Sequence, residues 1–301
     1  MMRSAVLSVT NRRFTRKLVG GTRAGRAVAG RFVAGDTLAE AIVAARHLND
    51  AGMVVSLDHL GEHVGAIAEA DDATSSYVAC IEAIHESGVR GNISVKLTQL
   101  GMGLDDEAAA RNLEVLAVAA SSAGTTVTVD MEESAYTGTT IDIYERVQRE
   151  HGNLGIAVQS YLHRTAADLD RLLPLGGHIR LCKGAYAEPE EIAYQSGSDV
   201  DSSFDRLASL LMLTGGVRPA IASHDDRRLE PVLALAAHRS EPWEFQMLYG
   251  VRRDRQLALV AEGHTMRVYV PYGVAWYPYL TRRLAERPAN LAFFARALVG
   301  R

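Results

Sequence analysis

The chain has 301 residues, 48% hydrophobic and 23% charged, an ordinary globular composition with ample length for a sizeable core. A net charge of -4 and a pI near 6.2 argue against nucleic acid as the main partner. No apolar run is long enough to cross a bilayer. Cys80 and Cys182 lack the paired spacing of a disulfide framework or zinc site, which predicts two buried free thiols in a reducing compartment.

The chain opens with Arg3, Arg12, Arg13, Arg16, Lys17, Arg23, Arg26 and Arg31 before its first acidic residue, Asp36. A basic, acid-poor start can be a transit peptide, an arm lying on anionic lipid, or a plain packed or flexible extension. The residues leave those three open. No apolar core of signal-peptide type follows Arg3, which argues against secretion. Residues 36–51 read as a helix capped by Asp36 or Thr37. We divide the chain into a basic N-terminal arm with this helix (1–50) and a single domain (51–301).

From there two patterns alternate. Short β-branched runs stand at MVVSLDHL, NISVKL, TVTVDME, GIAVQSYL, HIRLCKG, RPAIASH, EFQMLYG and MRVYVPYG. Amphipathic stretches follow them at 74–87, 105–122, 140–150, 166–173, 201–213, 228–238, 253–262 and 279–298. Strict alternation implies a parallel sheet with crossover helices. Eight units over roughly 250 residues is the arithmetic of a closed (β/α)8 TIM-like barrel, with a doubly wound open sheet as the alternative. The polar loop at 187–200 follows a strand, so it is expected near the mouth.

Barrel chemistry sits at the C-terminal ends of the strands, and ionisable groups on apolar strands are costly unless paired or bound. Lys96, Asp130, Gln159, Arg180, Lys183, His224 and Tyr269 pass that filter. Lys96 could hold an anion, form a Schiff base, or pair with Asp130 inside the barrel. Gly184 permits close backbone approach, while Lys183 and Arg180 can meet phosphate or an electron-rich ring; a loop ion pair is the plain reading. His59 and His63 have no acidic or cysteine partner at metal spacing, so no metal site is expected. The glycines before residue 31 are not in dinucleotide-fingerprint register.

The final stretch, YVPYGVAWYPYLTRRLAERPAN (269–290), runs from a strand end into a helix opening near Pro278. At about 100° per residue, Tyr279, Arg282, Arg283 and Glu286 share one face. Two guanidiniums with an aromatic ring one turn earlier suit an anion attached to an apolar ring. A solvated face with Glu286 paired to either arginine is the plain alternative.

The segments SVKL, TVDME, AVQSYL, IRLCKGAY, ASHD, EFQMLYG and RVYVPYG followed by YLTRRLAERPAN resemble proline dehydrogenase, in that family's order and spacing. The resemblance covers the chain from about Asp36 onward. No aldehyde-dehydrogenase stretch follows, so it is to the monofunctional form. It implies a barrel that binds FAD without a Rossmann domain and oxidises L-proline to Δ1-pyrroline-5-carboxylate, hydride passing from proline C5 to flavin N5.

By resemblance, Asp130 and Arg180 are the catalytic residues, Arg180 beside flavin N5. Lys96, Arg282 and Arg283 bind the proline carboxylate. Tyr269, Tyr279, Tyr186 and Leu181 wall the pyrrolidine ring. Gln159 hydrogen-bonds the isoalloxazine edge, and Met131, Lys183, Gly184, Ala185, Ser223 and His224 hold other parts of FAD. Glu62 resembles a glutamate that gates the site by pairing with an arginine. Ser223 stands where threonine is usual and Cys182 where an aliphatic residue is usual. The resemblance further implies electron transfer to membrane quinone, a functional link to a separate pyrroline-5-carboxylate dehydrogenase, and a cytoplasmic protein peripheral to the inner membrane face. Two other functions remain to be weighed: a Schiff-base aldolase using Lys96 or Lys183, and a non-catalytic barrel that binds an amino acid or flavin.

Overall fold

The β-branched runs form parallel strands and the amphipathic stretches form the helices between them. The computed structural model describes residues 30–61, 63–276 and 279. Its strands are β1 (Val54–His59), β2 (Gly91–Val95), β3 (Val127–Val129), β4 (Leu154–Gln159), β5 (Gly177–Cys182), β6 (Val217–Ala222), β7 (Glu244–Leu248) and β8 (Met266–Tyr272). They pair in chain order, and β8 pairs with β1 from Val54↔Arg267 to His59↔Tyr272. That last pairing closes the barrel and excludes the open sheet. Helix α1 (Leu38–Asp50) precedes β1. One crossover helix then joins each successive strand pair: α2 (Ile67–Ser87), α3 (Asp106–Ser122), α4 (Ser134–His151), α5 (Thr165–Leu172), α6 (Gly197–Leu213), α7 (Asp226–Ala236) and α8 (Arg253–Ala261).

Thr37, not Asp36, caps α1. Its hydroxyl accepts from Glu40 N while the Glu40 carboxylate accepts from Thr37 N, a reciprocal capping box. Helix α4 starts six residues earlier than its apolar periodicity predicts, at Ser134 rather than 140. Its first turns carry Gly138 and three threonines, all weak helix formers. Tertiary contacts override that weakness: Thr137 is buried, and Glu188 from the β5–α6 loop accepts from Ser134 N at 2.7 Å and Ser134 Oγ at 2.6 Å. Such capping from another loop leaves no local pattern.

Strand alternation sends one set of side chains toward the helices and the other into the barrel. The helix-facing set is apolar: Val55, Leu57, Ile93, Val95, Val127 and Val129 pack in one cluster with Tyr77, Ile81, Leu113 and Leu116. On β1, β2 and β3 the inward set is polar, and its members hydrogen-bond to one another, as in Ser56 Oγ to Ser94 Oγ at 3.1 Å and Asn92 Nδ2 to Thr128 Oγ1 at 3.0 Å. Burying such groups is tolerable because they are paired. The apolar core therefore lies between barrel and helical ring.

Residues before α1 reach the barrel mouth. Phe32 and Val33 cluster with Leu60, Trp276 and Tyr279, and Ala34 N donates to Pro271 O at 2.8 Å. Gly250, at φ +72°, makes this possible: a Cβ there would lie 1.6 Å from Arg31 O.

Candidate active site

Four charged side chains and one phenol meet where the strands end. Asp58 comes from β1, Lys96 and Asp130 directly follow β2 and β3, Arg180 lies in β5 and Tyr269 in β8. Lys96 Nζ stands 3.0 Å from Asp58 Oδ1 and 3.7 Å from Asp130 Oδ2. Asp130 accepts from Arg180 Nη1 and, at 2.6 Å, from the Tyr269 hydroxyl. All are buried or nearly so. Burial alone would raise the Asp130 pKa; the charge of Arg180, then that of Lys96, more than offsets it and holds the carboxyl below its ordinary range. Burial, then the Asp130 charge, pushes the Tyr269 phenol well above its ordinary value, so it stays protonated and donates.

Arg180 spans the barrel interior. Its Nε donates to Gln246 Oε1 at 2.6 Å and its Nη2 to Ser94 Oγ at 2.8 Å. Its Cζ lies 5.2 Å from the Tyr269 ring centroid. With the Asp130 bond these use three of the five guanidinium N–H groups. Above this cluster opens a cavity of ≈ 940 Å³. That is at the upper end of the range for small-molecule sites, about 300–1,000 Å³, and roomier than one small amino acid needs.

The cavity wall continues through the loops after β4, β5, β6 and β7. Gln159 donates through Nε2 to Met131 O at 3.0 Å, while its buried Oε1 has no hydrogen-bond partner among the described residues. A buried amide oxygen on a cavity wall calls for an N–H from a ligand. Gly184, at φ +120°, has no room for a side chain, because a Cβ would meet the Tyr161 ring at 2.2 Å. Lys183 pairs with Asp201, the fifth residue of α6, and stands 3.5 Å from Asp225. His224 Nε2 accepts from Leu248 N at 3.0 Å, and Arg252 Nη1 donates to His224 O at 2.8 Å. Arg252 adopts φ 51°, a strained backbone for a non-glycine residue and found here on the cavity wall.

Lys96, Asp130, Met131, Gln159, Arg180, Lys183, Gly184, Ala185, Tyr186, Ser223, His224, Tyr269 and Tyr279 all line this one cavity. Leu181 does not. It follows the inward-facing Arg180, so alternation turns it into the apolar core behind the strand, where it is fully buried. Glu62, Arg282, Arg283 and Glu286 lie outside the described residues. The expectation of two buried thiols holds for Cys80 only; Cys182 is half-buried and borders the cavity.

Asp58, Gln246 and Arg252 are among the site residues that escape the sequence reading. Asp58, rather than Asp130, is the nearer partner of Lys96. It stands late in an apolar run, as Lys96 does, so the same filter could have found it. Gln246 is polar on the apolar strand β7 and is legible in the same way. Arg252 carries no sequence signal, since nothing in RRDR distinguishes a cavity-lining arginine from a solvated one. The loop at 187–200 does reach the mouth: Gln195, Gly197 and Val200 line the cavity.

Residues 41–296 match the family described as proline dehydrogenase. The chain is 39% identical over 282 residues to proline dehydrogenase 1 of Bacillus subtilis, covering 93% of this chain and 92% of that one. It is 36% identical over 280 residues to proline dehydrogenase of Deinococcus radiodurans, covering 90% of each. Among solved structures, proline utilization A of Bdellovibrio bacteriovorus, inactivated by N-propargylglycine, superposes with a TM-score of 0.82 at 25% identity. That likeness covers 90% of this chain and 34% of the larger protein.

Proposed function

The chain belongs to the proline dehydrogenase family, and from that premise we propose that its barrel oxidises L-proline to Δ1-pyrroline-5-carboxylate with FAD as the bound oxidant. The observation that carries this reading is the polar cluster of Lys96, Asp130, Arg180 and Tyr269 at the base of a cavity much larger than the substrate. The cavity's donors and acceptors suit a flavin: among the described residues Gln159 Oε1 has no donor, and Arg180 keeps two N–H groups beyond its three bonds. Met131, Gln159, Arg180, Lys183, Gly184, Ala185, Ser223 and His224 would hold FAD, which when bound supplies a hydride acceptor for proline C5.

The chain's own groups bind, orient and balance charge. Lys96 presents an ammonium to the proline carboxylate, steadied from below by Asp58. Arg282 and Arg283, outside the described residues, would complete that carboxylate grip by bidentate contacts. Asp130, held ionised, is a weak base; it serves to fix Arg180 and Tyr269. Tyr269 keeps its proton and offers a ring face to the pyrrolidine, with Tyr279 and Tyr186 as further walls. Glu62 would gate the entrance. Cations around the substrate favour loss of the proline amine's proton by like-charge repulsion.

Electrons would then pass to membrane quinone, and the product to a separate pyrroline-5-carboxylate dehydrogenase. That encounter would take place at the inner membrane face from the cytoplasmic side, as the family resemblance implies; no helix among the described residues is long and apolar enough to cross a membrane. The aldolase reading is disfavoured because both candidate lysines are ion-paired, Lys96 to Asp58 and Lys183 to Asp201, whereas a Schiff base needs a neutral amine. The deciding experiment is the visible spectrum of purified protein before and after anaerobic L-proline. Flavin bands that bleach are expected. A flavin-bound protein left unchanged by proline would refute the dehydrogenase and favour the binding-only barrel.

A further inference from the structure

Beneath Arg180 the barrel interior carries a second set of polar groups, none of which the proposed chemistry uses. Strand β7 sends Glu244 and Gln246 inward, two residues apart. Gln246 Oε1 accepts from Arg180 Nε at 2.6 Å, and Gln246 Nε2 donates to Glu244 Oε1 at 2.6 Å. Glu244 is held in turn by a two-pronged contact from Arg267, through Nε at 2.6 Å and Nη2 at 3.0 Å, with His178 Nε2 3.2 Å away. Arg267 Nη1 also donates to Val55 O at 2.8 Å and to Asn92 Oδ1 at 3.1 Å. Gln246 and Glu244 are 3% and 8% exposed, and Glu244 lies outside the cavity wall.

An amide has two unlike ends, and this arrangement permits only one orientation. A carboxylate below can accept only from the NH2 end, so the carbonyl must face Arg180. Reversed, the amide would set NH2 against a guanidinium and carbonyl against carboxylate, two repulsive contacts in a buried site. Glutamine is also a neutral acceptor. It orients Arg180 without adding a second directly bonded carboxylate to Asp130, so the guanidinium keeps more of its charge toward the cavity.

We propose that Glu244 and Gln246 are positioning residues: Glu244, anchored by Arg267 at the barrel floor, orients the Gln246 amide, and that amide fixes the plane of the Arg180 guanidinium at the cavity. Its catalytic consequence rests on the reading of the cavity as a proline and FAD site. The orientation of Arg180 does not.

The test compares wild type with Glu244→Gln and Gln246→Glu, each loaded with FAD. Glu244→Gln lets the amide turn; kcat for L-proline is expected to fall about tenfold with KM changed less than threefold, because the loss is in the orientation of a cation beside the cofactor. Gln246→Glu adds negative charge next to Arg180, and the two-electron reduction equilibrium of bound FAD is expected to shift at least tenfold toward the oxidised form, about 30 mV. Without cofactor, the Arg180 Nε–H resonance is expected to exchange with solvent at least tenfold faster in Glu244→Gln than in wild type. Should Glu244→Gln fail to fold, Gln246→Met keeps the Glu244–Arg267 pair and loses only the relay, and the same kcat and exchange changes are expected of it. Wild-type kcat, flavin potential and Nε–H exchange in the folded variants would overturn the relay. A wild-type protein that binds FAD but is not bleached by proline would overturn the proposed function alone, with the exchange measurement still deciding the relay.

Discussion

Removing the Asp58 charge should expose how much of the site depends on a residue outside the cavity wall. Asp58 is fully buried, and Lys96 stands 3.0 Å from it against 3.7 Å from Asp130. At an effective dielectric constant of about 20, the bare attractions are about 5.5 and about 4.5 kcal/mol, before desolvation is subtracted. Asp58→Asn therefore removes the larger of the two attractions on Lys96 while leaving its ammonium buried. Taking one partner from a buried pair costs about 3–5 kcal/mol. For a chain of this length roughly 2 °C per kcal/mol is expected, a fall in Tm of about 6–10 °C. The assay is a double-mutant cycle of Asp58→Asn and Lys96→Met, read by denaturant unfolding. A coupling of about 2 kcal/mol or more is expected, because the double variant buries no lone charge at this pair. A coupling under about 0.5 kcal/mol would refute the claim that Asp58, the nearer of its two carboxylate partners among the described residues, carries weight in holding Lys96.

Acid should weaken the barrel in two stages. Burial lowers the His178 pKa from its ordinary value of 6.5, so the unfolded chain takes up that proton first and stability falls as the pH drops below about 6.5. Asp130 and Glu244 are held below their ordinary carboxyl range, chiefly by Arg180 and by Arg267 acting against burial. Their stabilisation is present above about pH 4 and is lost as pH falls through their folded values. Urea midpoints from pH 7 to pH 3 should show both limbs, and His178→Gln should flatten chiefly the upper one, with a smaller change in the lower because His178 also contacts Glu244; an unaltered upper limb would reject the assignment. At the mouth, Gly250→Ala drives a Cβ into Arg31 O and holds alanine at φ +72°, a backbone strain of about 1–2 kcal/mol. Residues 31–35 should lift away, seen as faster tryptic cleavage after Arg31, and an unchanged cleavage rate would count against their packing over the cavity.

The sequence alone determined the alternating order of strands and helices, because its evidence is periodic and local. Each β-branched run and amphipathic stretch reports its own conformation, and eight repeats of that pair leave few topologies. Closure is different in kind, since the β1–β8 pairing joins residues more than two hundred apart and has no local trace. The site divides along the same line. Lys96, Asp130, Arg180 and Tyr269 were legible because a polar group on an apolar strand is costly enough to need a reason. Of their partners only Asp130 beside Lys96 was foreseen, because pairing depends on which strands become neighbours and on how each side chain crosses the interior. That is why Asp130 proved to be shared by Arg180, Tyr269 and Lys96, with Asp58 as the nearer counter-charge of Lys96. It is also why Leu181 fell behind its strand and Glu244 came to stand under Gln246. Alternation fixes the side of the sheet that a residue occupies; only the closed barrel decides what it meets there.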